Sequence, residues 1–307
     1  MATVENVIEI INLNKRFKEI VAVDNLNLKV LRGDVFGFLG PNGAGKSTTI
    51  RLLVSLIAPN SGAINIFGES LKENRKKILT RVGAIVEKPD FYNYLSAYKN
   101  LKILSKISGI EVKSSRIFEL LELVGLKERY KSKVKTYSHG MKQRLGIAQA
   151  LLHDPELIIL DEPTTGLDPF GMKEIRDLII KLSKEENKTI FLSSHILSEI
   201  EMIADRMVII NKGKTIVEGE VKELLNSGTL KVTFEVDNVD KTKSILDGKS
   251  WYKKIDSISE DKLTFTLEQN DIGTLNKYLV ENGITVSAVM PKRSLEEYFL
   301  KITSEAN

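Results

Sequence analysis

The chain has 307 residues, of which 42% are hydrophobic and 28% charged, so it can bury a sizeable core and is long enough for a main domain with a smaller appended one. Lys and Arg exceed Asp and Glu by only 45 to 41, and the surplus is spread along the chain, which does not predict the basic face of a nucleic-acid-binding protein. The absence of cysteine excludes disulfides, thiolate catalysis and cysteine-ligated zinc.

The first segments of the chain alternate between apolar and polar residues. The start, MATVENVIEIINL, carries Glu5 and Glu9 and therefore predicts a strand rather than a cationic signal peptide. Alternation in VIEIINL, LNLKV and AINIFG predicts an antiparallel sheet. Apolar runs such as LIIL and MVII are far shorter than the ~20 residues that span a bilayer, so no transmembrane helix is expected.

A glycine-rich loop lies between the buried-strand pattern VFGFL and the helical pattern IRLLVSLI. Its sequence, GPNGAGKST, fits G-x-x-x-x-G-K-[ST], in which glycines let backbone N–H groups and a helix N-terminus face phosphate. Lys46 is predicted to contact the β- and γ-phosphates of ATP, and Ser47 to ligate Mg²⁺. A turn that only caps a helix is the alternative. The predicted ATP contacts in this loop are Asn42, Gly43, Ala44, Gly45, Lys46, Ser47 and Thr48.

Residues 95–155 are mostly helical in pattern and end in TYSHGMKQRLGIAQALL. Ser138 and Gly140 precede the last helix of this region, whose N-terminus would suit a second anion. Because one ATP does not need two such sites from one chain, this site is predicted to serve the nucleotide of another molecule. An ordinary capped helix is the alternative.

The run LIILDEP supplies two carboxylates after a buried-strand pattern. Asp161 would hold Mg²⁺ through water, and Glu162 would be the general base for the attacking water. Both could instead be turn residues that cap the following helix. His195, after the strand pattern KTIFLSS, is predicted to donate a hydrogen bond to the γ-phosphate, with a surface or capping role as the alternative.

Together these motifs resemble the ATP-binding subunit of an ABC transporter over about residues 5–220. GPNGAGKST resembles Walker A, LIILDEP resembles Walker B with its catalytic glutamate, and SHGMKQR resembles the signature loop. TTGLDP resembles the D-loop, and SSH the switch. The resemblance implies an α/β P-loop NTPase fold with a RecA-like core, an antiparallel β subdomain and a helical subdomain at about residues 95–155.

The resemblance also implies a head-to-tail, ATP-dependent homodimer with two ATP molecules at its seam. Each ATP would contact one chain's Walker A and the other chain's signature residues, namely Ser138, His139, Gly140 and Met141. Asp168 of the D-loop would lie at the seam. The implied partners are separate integral membrane permease subunits, which would place the chain in the cytoplasm, peripherally on the inner face of the cell membrane.

Adenine binding is predicted in the segment NKRFKEIVAV. Phe17 matches the family's aromatic residue that stacks on adenine, an interaction worth ~1 to 3 kcal/mol per base in single-strand binders, although a core position in a strand is the alternative. Val23 is assigned to the ATP site with it.

Two positions depart from the commoner family pattern. The signature reads YSHGM instead of LSGGQ, and VGAIVEKPDFY has Glu87 where the Q-loop glutamine is usual. Both residue types can reach Mg²⁺ through an oxygen, but Glu87 adds negative charge beside Asp161 and Glu162 and so affects hydrolysis and coupling to the permease. With GMKQRLGIA downstream, this Glu resembles the branch of exporters that expel bacitracin and lantibiotic peptides.

The motifs end after the hairpin pattern MVIINKGKTIVEG, which predicts an ATPase domain at 1–221 and a small α+β domain at 222–307. A linking helix is expected at 222–227, strands in LKVTFEV, KLTFTLE and ITVSAVM, and helices around Leu275 and from Ser294 to Ile302. The ending SLEEYFLKIT resembles the C-terminal domain of many exporter ATPases. Dimer contact, ligand sensing and stabilisation all stay open as its role.

The predicted function is an ATPase that powers an exporter whose transmembrane subunits are separate chains, and the resemblance to bacitracin, lantibiotic and multidrug exporter ATPases implies a peptide antibiotic or a drug as its cargo. The alternative is a soluble ABC ATPase that acts on nucleic acid or the ribosome. That class usually has a long coiled-coil insertion or two fused cassettes, and here each motif occurs once. A nucleotide-dependent regulator without turnover is disfavoured by Glu162 and His195.

Overall fold

The computed structural model describes residues 5–109, 111–226, 230–293 and Phe299. The chain divides into two compact units, residues 1–221 and 222–305. Within the described ranges, no helix has the length and apolar character needed to cross a membrane.

Residues 5–226 contain both strands and helices. In chain order they are β1 (Asn6–Phe17), β2 (Ile20–Leu31), β3 (Val35–Leu39), α1 (Lys46–Leu53), β4 (Ser61–Ile66), β5 (Glu69–Ser70), α2 (Leu71–Leu79), β6 (Val82–Ile85), α3 (Ala97–Ile107), α4 (Ser114–Leu123), α5 (His139–Ala150), β7 (Leu157–Leu160), α6 (Pro169–Lys184), β8 (Thr189–Ser194), α7 (Leu197–Ile203), β9 (Arg206–Asn211), β10 (Lys214–Glu220) and α8 (Val221–Asn226).

A six-stranded sheet with the order β10-β9-β3-β8-β7-β6 forms the centre of the first unit. Strands β9, β3, β8, β7 and β6 are parallel, and β10 closes the edge as an antiparallel hairpin with β9, as its sequence predicts. The runs VFGFL and LIIL are buried along their whole length because both faces of the sheet are covered. The carboxyl ends of β3, β8 and β7 therefore meet at one edge, which is where parallel α/β sheets bind ligands.

A second sheet of the first unit has the order β2-β1-β4-β5 and is antiparallel throughout. The predicted antiparallel sheet is thus confirmed. Apolar side chains of both sheets and of α1 share one core, which includes Ile8, Leu26, Phe38, Ile50 and Phe191. The rings of Phe38 and Phe191 lie 5.2 Å apart between centroids.

Helices α3, α4 and α5 lie in the segment that the sequence predicts to be helical, and two 3-10 turns, Lys127–Arg129 and Val134–Thr136, join α4 to α5. Ser96 caps α3 by accepting a hydrogen bond from the Lys99 amide, and Ser138 caps α5. These caps fix where the helices begin, and so where the signature loop ends.

Within residues 230–293, the second unit is a four-stranded antiparallel sheet with two α-helices. In chain order it contains β11 (Leu230–Val236), α9 (Val239–Leu246), β12 (Ile255–Ile258), β13 (Lys262–Leu267), α10 (Gln269–Glu281) and β14 (Val286–Arg293), and the strand order is β12-β13-β11-β14. Its own core includes Val232, Phe234, Phe265, Leu275 and Leu279. The predicted helix from Ser294 to Ile302 lies outside the described residues, apart from Phe299.

Because each unit has a core of its own, we predict that a chain ending at Ser227 folds and binds ATP as the whole chain does. All the predicted nucleotide contacts lie upstream of that residue. Thermal melting and ATP affinity of the truncated and whole chains check this. A truncated chain that aggregates, or folds but does not bind ATP, would show that the second unit is part of the catalytic fold.

Candidate nucleotide-binding and hydrolysis site

The loop between β3 and α1 requires glycine at specific places. Gly45, the residue before α1, has φ 109°, a left-handed conformation, and a Cβ there would collide with the carbonyl oxygen of Ala22. Gly43 also has positive φ, 79°. The amide of Gly40 donates to the Ser194 carbonyl at 3.2 Å, which ties the start of the loop to the end of β8. The loop is therefore a backbone turn that leads directly into a helix N-terminus, as an anion site requires.

Lys46 is the cation of this loop, and its side chain is only 4% exposed. Its ammonium donates to the carbonyl oxygens of Gly40 (2.7 Å) and Pro41 (3.1 Å). It also lies 3.2 Å from Oε1 of Glu162. Because a buried charge is costly unless it is paired, these contacts determine where the loop lies relative to the end of β7.

Asp161 and Glu162 follow β7 directly, and one serine orients both. Ser193, which is fully buried in β8, donates its hydroxyl to Oδ1 of Asp161 at 2.6 Å and accepts the Glu162 amide at 2.9 Å. The Asp161 amide donates to the Ile85 carbonyl at 2.9 Å. Sequence analysis did not assign Ser193 a role. The signal available was its position in the SSH run, two residues before His195.

The Glu162 carboxylate is surrounded by donors and cations. Its Oε2 accepts from the Thr165 hydroxyl at 2.9 Å and lies 3.1 Å from Nδ1 of His195. Burial alone raises the pKa of Glu162, but the Thr165 hydrogen bond and the charges of Lys46 and His195 together outweigh burial and hold that pKa below its usual value. Glu162 is therefore ionised at neutral pH, as a general base must be.

The structure thus joins four predicted site residues through direct contacts or a shared partner: Lys46, Asp161, Glu162 and His195. Ser47 and Thr48 lie half-buried in the first turn of α1, Ala44 is buried, and Asn42 and Gly43 are exposed. Sequence analysis also missed Thr165, whose hydroxyl acts on Glu162 from within the predicted D-loop segment TTGLDP.

The two residues assigned to adenine differ in exposure. Phe17 is 44% exposed, and the Lys15 ammonium lies 4.9 Å from the centroid of its ring, so the ring is a surface group and not part of the core. Val23 is 1% exposed and packs in the core of the first unit. Its side chain therefore has almost no surface to offer to a nucleotide.

The signature and D-loop residues act as helix caps within the chain. The hydroxyl of Ser138 accepts from the Met141 amide at 3.2 Å, and Oδ1 of Asp168 accepts from the Gly171 amide at 2.7 Å. Gly140 and Met141 are half-buried in the first turn of α5. His139 Nε2 lies 3.3 Å from the Thr165 carbonyl oxygen, so the imidazole at the usual glycine position touches the D-loop. Among the described residues, no hydrogen bond joins Ser138 to Lys46, Glu162 or His195.

Among the described residues, no hydrogen bond or ion pair joins Glu87 to Asp161 or Glu162. Its side chain is 64% exposed, its φ is 67°, and its Oε1 accepts a hydrogen bond from Nη2 of Arg51 in α1. Sequence analysis did not foresee this partner, because Arg51 and Glu87 belong to different motifs.

The oxygen donors fit a magnesium ion bound together with nucleotide phosphates. Ser47 is the second residue of α1, which follows β3, and Asp161 directly follows β7. Both strands neighbour β8, and the Lys46–Glu162 contact shows that the two ends meet. Mg²⁺ prefers oxygen ligands and is usually held by one or two carboxylates plus phosphates. In keeping with that, the described residues contain no group of three or more acidic residues or histidines that could hold a metal ion alone.

Comparison with known proteins decides the family. The sequence profile of the ABC transporter family matches residues 23–165, which include Lys46 and Glu162. The bacitracin transport ATP-binding protein BcrA of Bacillus licheniformis is 47% identical over 297 residues, which are 96% of this chain and 97% of that protein. The chain belongs to the ABC transporter family. It is an ATP-binding and ATP-hydrolysing subunit with the P-loop NTPase fold.

Two further relatives match about 70% of this chain and nearly the whole of their own length. The lantibiotic transport ATP-binding protein SrtF of Streptococcus pyogenes is 44% identical over 229 residues, 73% of this chain and 97% of that protein. A solved structure, the dimeric post-hydrolysis state of the ATP-binding cassette MJ0796 bound to ADP and Pi, has a TM-score of 0.62 and 26% identity, and covers 70% of this chain and 98% of that one. The match to BcrA, by contrast, takes in most of the second unit of this ATPase.

The contact between Thr165 and Glu162 predicts the effect of Thr165→Val on the pH dependence of hydrolysis. The hydroxyl stabilises the ionised carboxylate, so its loss raises the pKa of Glu162. Because the base works only when ionised, the acid limb of the kcat profile should move to higher pH. Thr80→Val, at the end of α2, is the matched control and should leave the profile unchanged. An unshifted acid limb in Thr165→Val would contradict this role.

Proposed function

We propose that the chain powers the export of peptide antibiotics of the bacitracin and lantibiotic type, through separate permease subunits at the inner face of the cell membrane. The observation that carries this proposal is the 47% identity to a bacitracin transport protein over almost the full length of both chains. The 44% identity to a lantibiotic transport protein supports the same class of cargo. The alternative of a soluble ATPase acting on nucleic acid or the ribosome finds no support in these relatives, which are named for transport.

ATP binding is assigned to the loop before α1. Its backbone N–H groups and the positive end of α1 would hold the phosphates, and Lys46 would turn its ammonium from the loop carbonyls to the β- and γ-phosphates. Ser47 and, through water, Asp161 would hold Mg²⁺, which offsets negative charge on the phosphates. The exposed ring of Phe17 would stack on adenine.

Hydrolysis is assigned to Glu162. Its carboxylate would take a proton from water as the water oxygen bonds to the γ-phosphorus and the bond to the β-phosphate oxygen breaks. The Thr165 hydroxyl and the Ser193 hydrogen bond to its amide fix the orientation of this base. His195, now 3.1 Å from Glu162, would donate a hydrogen bond to the γ-phosphate.

We propose that the working unit is a head-to-tail homodimer. Ser138, His139, Gly140 and Met141 lie at the N-terminus of α5 and would face the γ-phosphate held by the other chain. Asp168 caps α6 and would set the D-loop at the seam. The dimeric state of the MJ0796 cassette supports this arrangement, since the match covers 98% of that structure and 70% of this chain.

Replacing the base should separate binding from hydrolysis. Glu162→Gln keeps the shape of the side chain but removes its proton acceptor, so ATP should still bind while turnover falls ~10²- to 10⁴-fold, the usual effect of a general base. Dimers with trapped ATP should then accumulate. Turnover and light scattering with ATP check this. Unchanged turnover, with monomers alone in the presence of ATP, would contradict the assignment of Glu162.

The cargo is tested in a bacitracin-sensitive host that expresses the chain together with the permease encoded beside it. We expect the minimum inhibitory concentrations of bacitracin and of a lantibiotic to rise, while that of a non-peptide drug does not. The matched control is Lys46→Ala, which should bring sensitivity back because the phosphates lose their cation. Protection only against the non-peptide drug, or protection that Lys46→Ala retains, would contradict the proposal.

A further inference from the structure

The ion pair between Arg51 and Glu87 joins two segments that are far apart in the sequence. Arg51 belongs to α1, the helix that begins at the phosphate loop, and Glu87 belongs to the loop after β6 that leads towards α3. Arg51 lies four residues after Ser47, on the same face of the helix and about 6 Å further along its axis. The pair therefore ties the loop that carries Glu87 to the helix that carries Ser47.

The backbone at Glu87 shows that its position is imposed by its surroundings. Its φ of 67° lies in the left-handed region, which residues other than glycine adopt at a cost and keep only where neighbouring structure holds them. The preceding residue, Val86, packs against the core of the first unit, and Arg51 pairs with the Glu87 carboxylate. Arg51 thus contributes to keeping this residue in place.

We infer that Arg51 is a positioning residue for Glu87: the ion pair occupies the Glu87 carboxylate and must release it before Glu87 can serve the metal. The inference rests on the proposed function, in which Ser47 and Asp161 hold Mg²⁺. An arginine side chain stays protonated at every physiological pH, so it competes for the carboxylate under all working conditions. A glutamine at position 87 has no charge and would form no ion pair with Arg51.

The pair also explains how the site tolerates a third carboxylate. Asp161 and Glu162 are both at the end of β7, and Glu162 is already matched by Lys46 and His195. Arg51 supplies a separate positive charge for Glu87. We therefore treat Arg51 and Glu87 as a matched pair that replaces the neutral glutamine of the commoner family pattern.

A double-mutant cycle on the full-length chain tests the inference. The readout is the affinity for Mn²⁺, measured by electron paramagnetic resonance with a non-hydrolysable ATP analogue present. Arg51→Gln should tighten Mn²⁺ binding about two- to five-fold, the range expected for release of one exposed ion pair. In the Glu87→Gln chain, Arg51→Gln should change the Mn²⁺ affinity no more than Arg75→Gln does. Arg75→Gln is the control because it removes an exposed arginine of α2. Arg51→Lys, which keeps the charge, should behave nearly as the unmodified chain.

A second readout does not depend on the metal. Without nucleotide, hydrogen exchange of the amides of residues 86–88 should be faster in Arg51→Gln than in the unmodified chain. In the Glu87→Gln background, the exchange rate should be the same with and without the Arg51→Gln change. Equal effects of Arg51→Gln in both backgrounds, or weaker Mn²⁺ binding by Arg51→Gln, would overturn the inference alone. An unmodified chain that binds no Mn²⁺ with the analogue would overturn the proposed function as well.

Discussion

The interaction on which the site depends is the pair between the buried Lys46 ammonium and the half-buried Glu162 carboxylate. Lys46 begins α1 and Glu162 follows β7, so their 3.2 Å contact joins the phosphate loop to the strand end that carries both acidic residues. A buried ammonium without partners would be strongly unfavourable, and here two loop carbonyls and one carboxylate satisfy it. The same contact helps to hold the pKa of Glu162 low, so one pair supports both the fold of the loop and the chemistry of the base.

The parallel sheet explains why these residues meet at all. Strands β3, β8 and β7 are neighbours, and the chain leaves each of them at the same edge. Three short polar segments therefore converge: the loop with Lys46, the pair Asp161 and Glu162, and the run that ends at His195. Ser193 then links the last two by hydrogen bonds across the strands, because its hydroxyl both donates to Asp161 and accepts the Glu162 amide. The sheet brings the strand ends together, and the Ser193 hydroxyl then orients the two acidic residues.

Local patterns in the sequence were enough to predict the phosphate loop, the acidic pair and the antiparallel sheet. Each has a signal within a few residues: glycine spacing, an apolar run before two carboxylates, or strict alternation. The contacts of Ser193, Thr165 and Arg51 were not predictable in this way, because each depends on which distant segment the fold brings near. The burial of Val23 shows the same limit, since its place in the segment NKRFKEIVAV does not tell which face of a strand the core covers.

The second unit also contains elements that local sequence patterns do not predict. Its strands β11 and β13 alternate clearly and were predicted, whereas β12 has only four residues, mostly exposed, and gives too weak a pattern. Helix α9 was also missed. Its start depends on Asn238, whose side chain accepts the Lys241 amide, a cap that is common in ordinary turns as well.

The most direct test of the charge cluster is the pKa of the Glu162 carboxyl group, measured by NMR on chain labelled with ¹³C at the glutamate side chains, with Glu162→Gln to assign the resonance. The account predicts a pKa below the usual glutamate value in the unmodified chain, and a higher one in Lys46→Ala because the nearest full positive charge is lost. A pKa at or above the usual value that does not change in Lys46→Ala would contradict it.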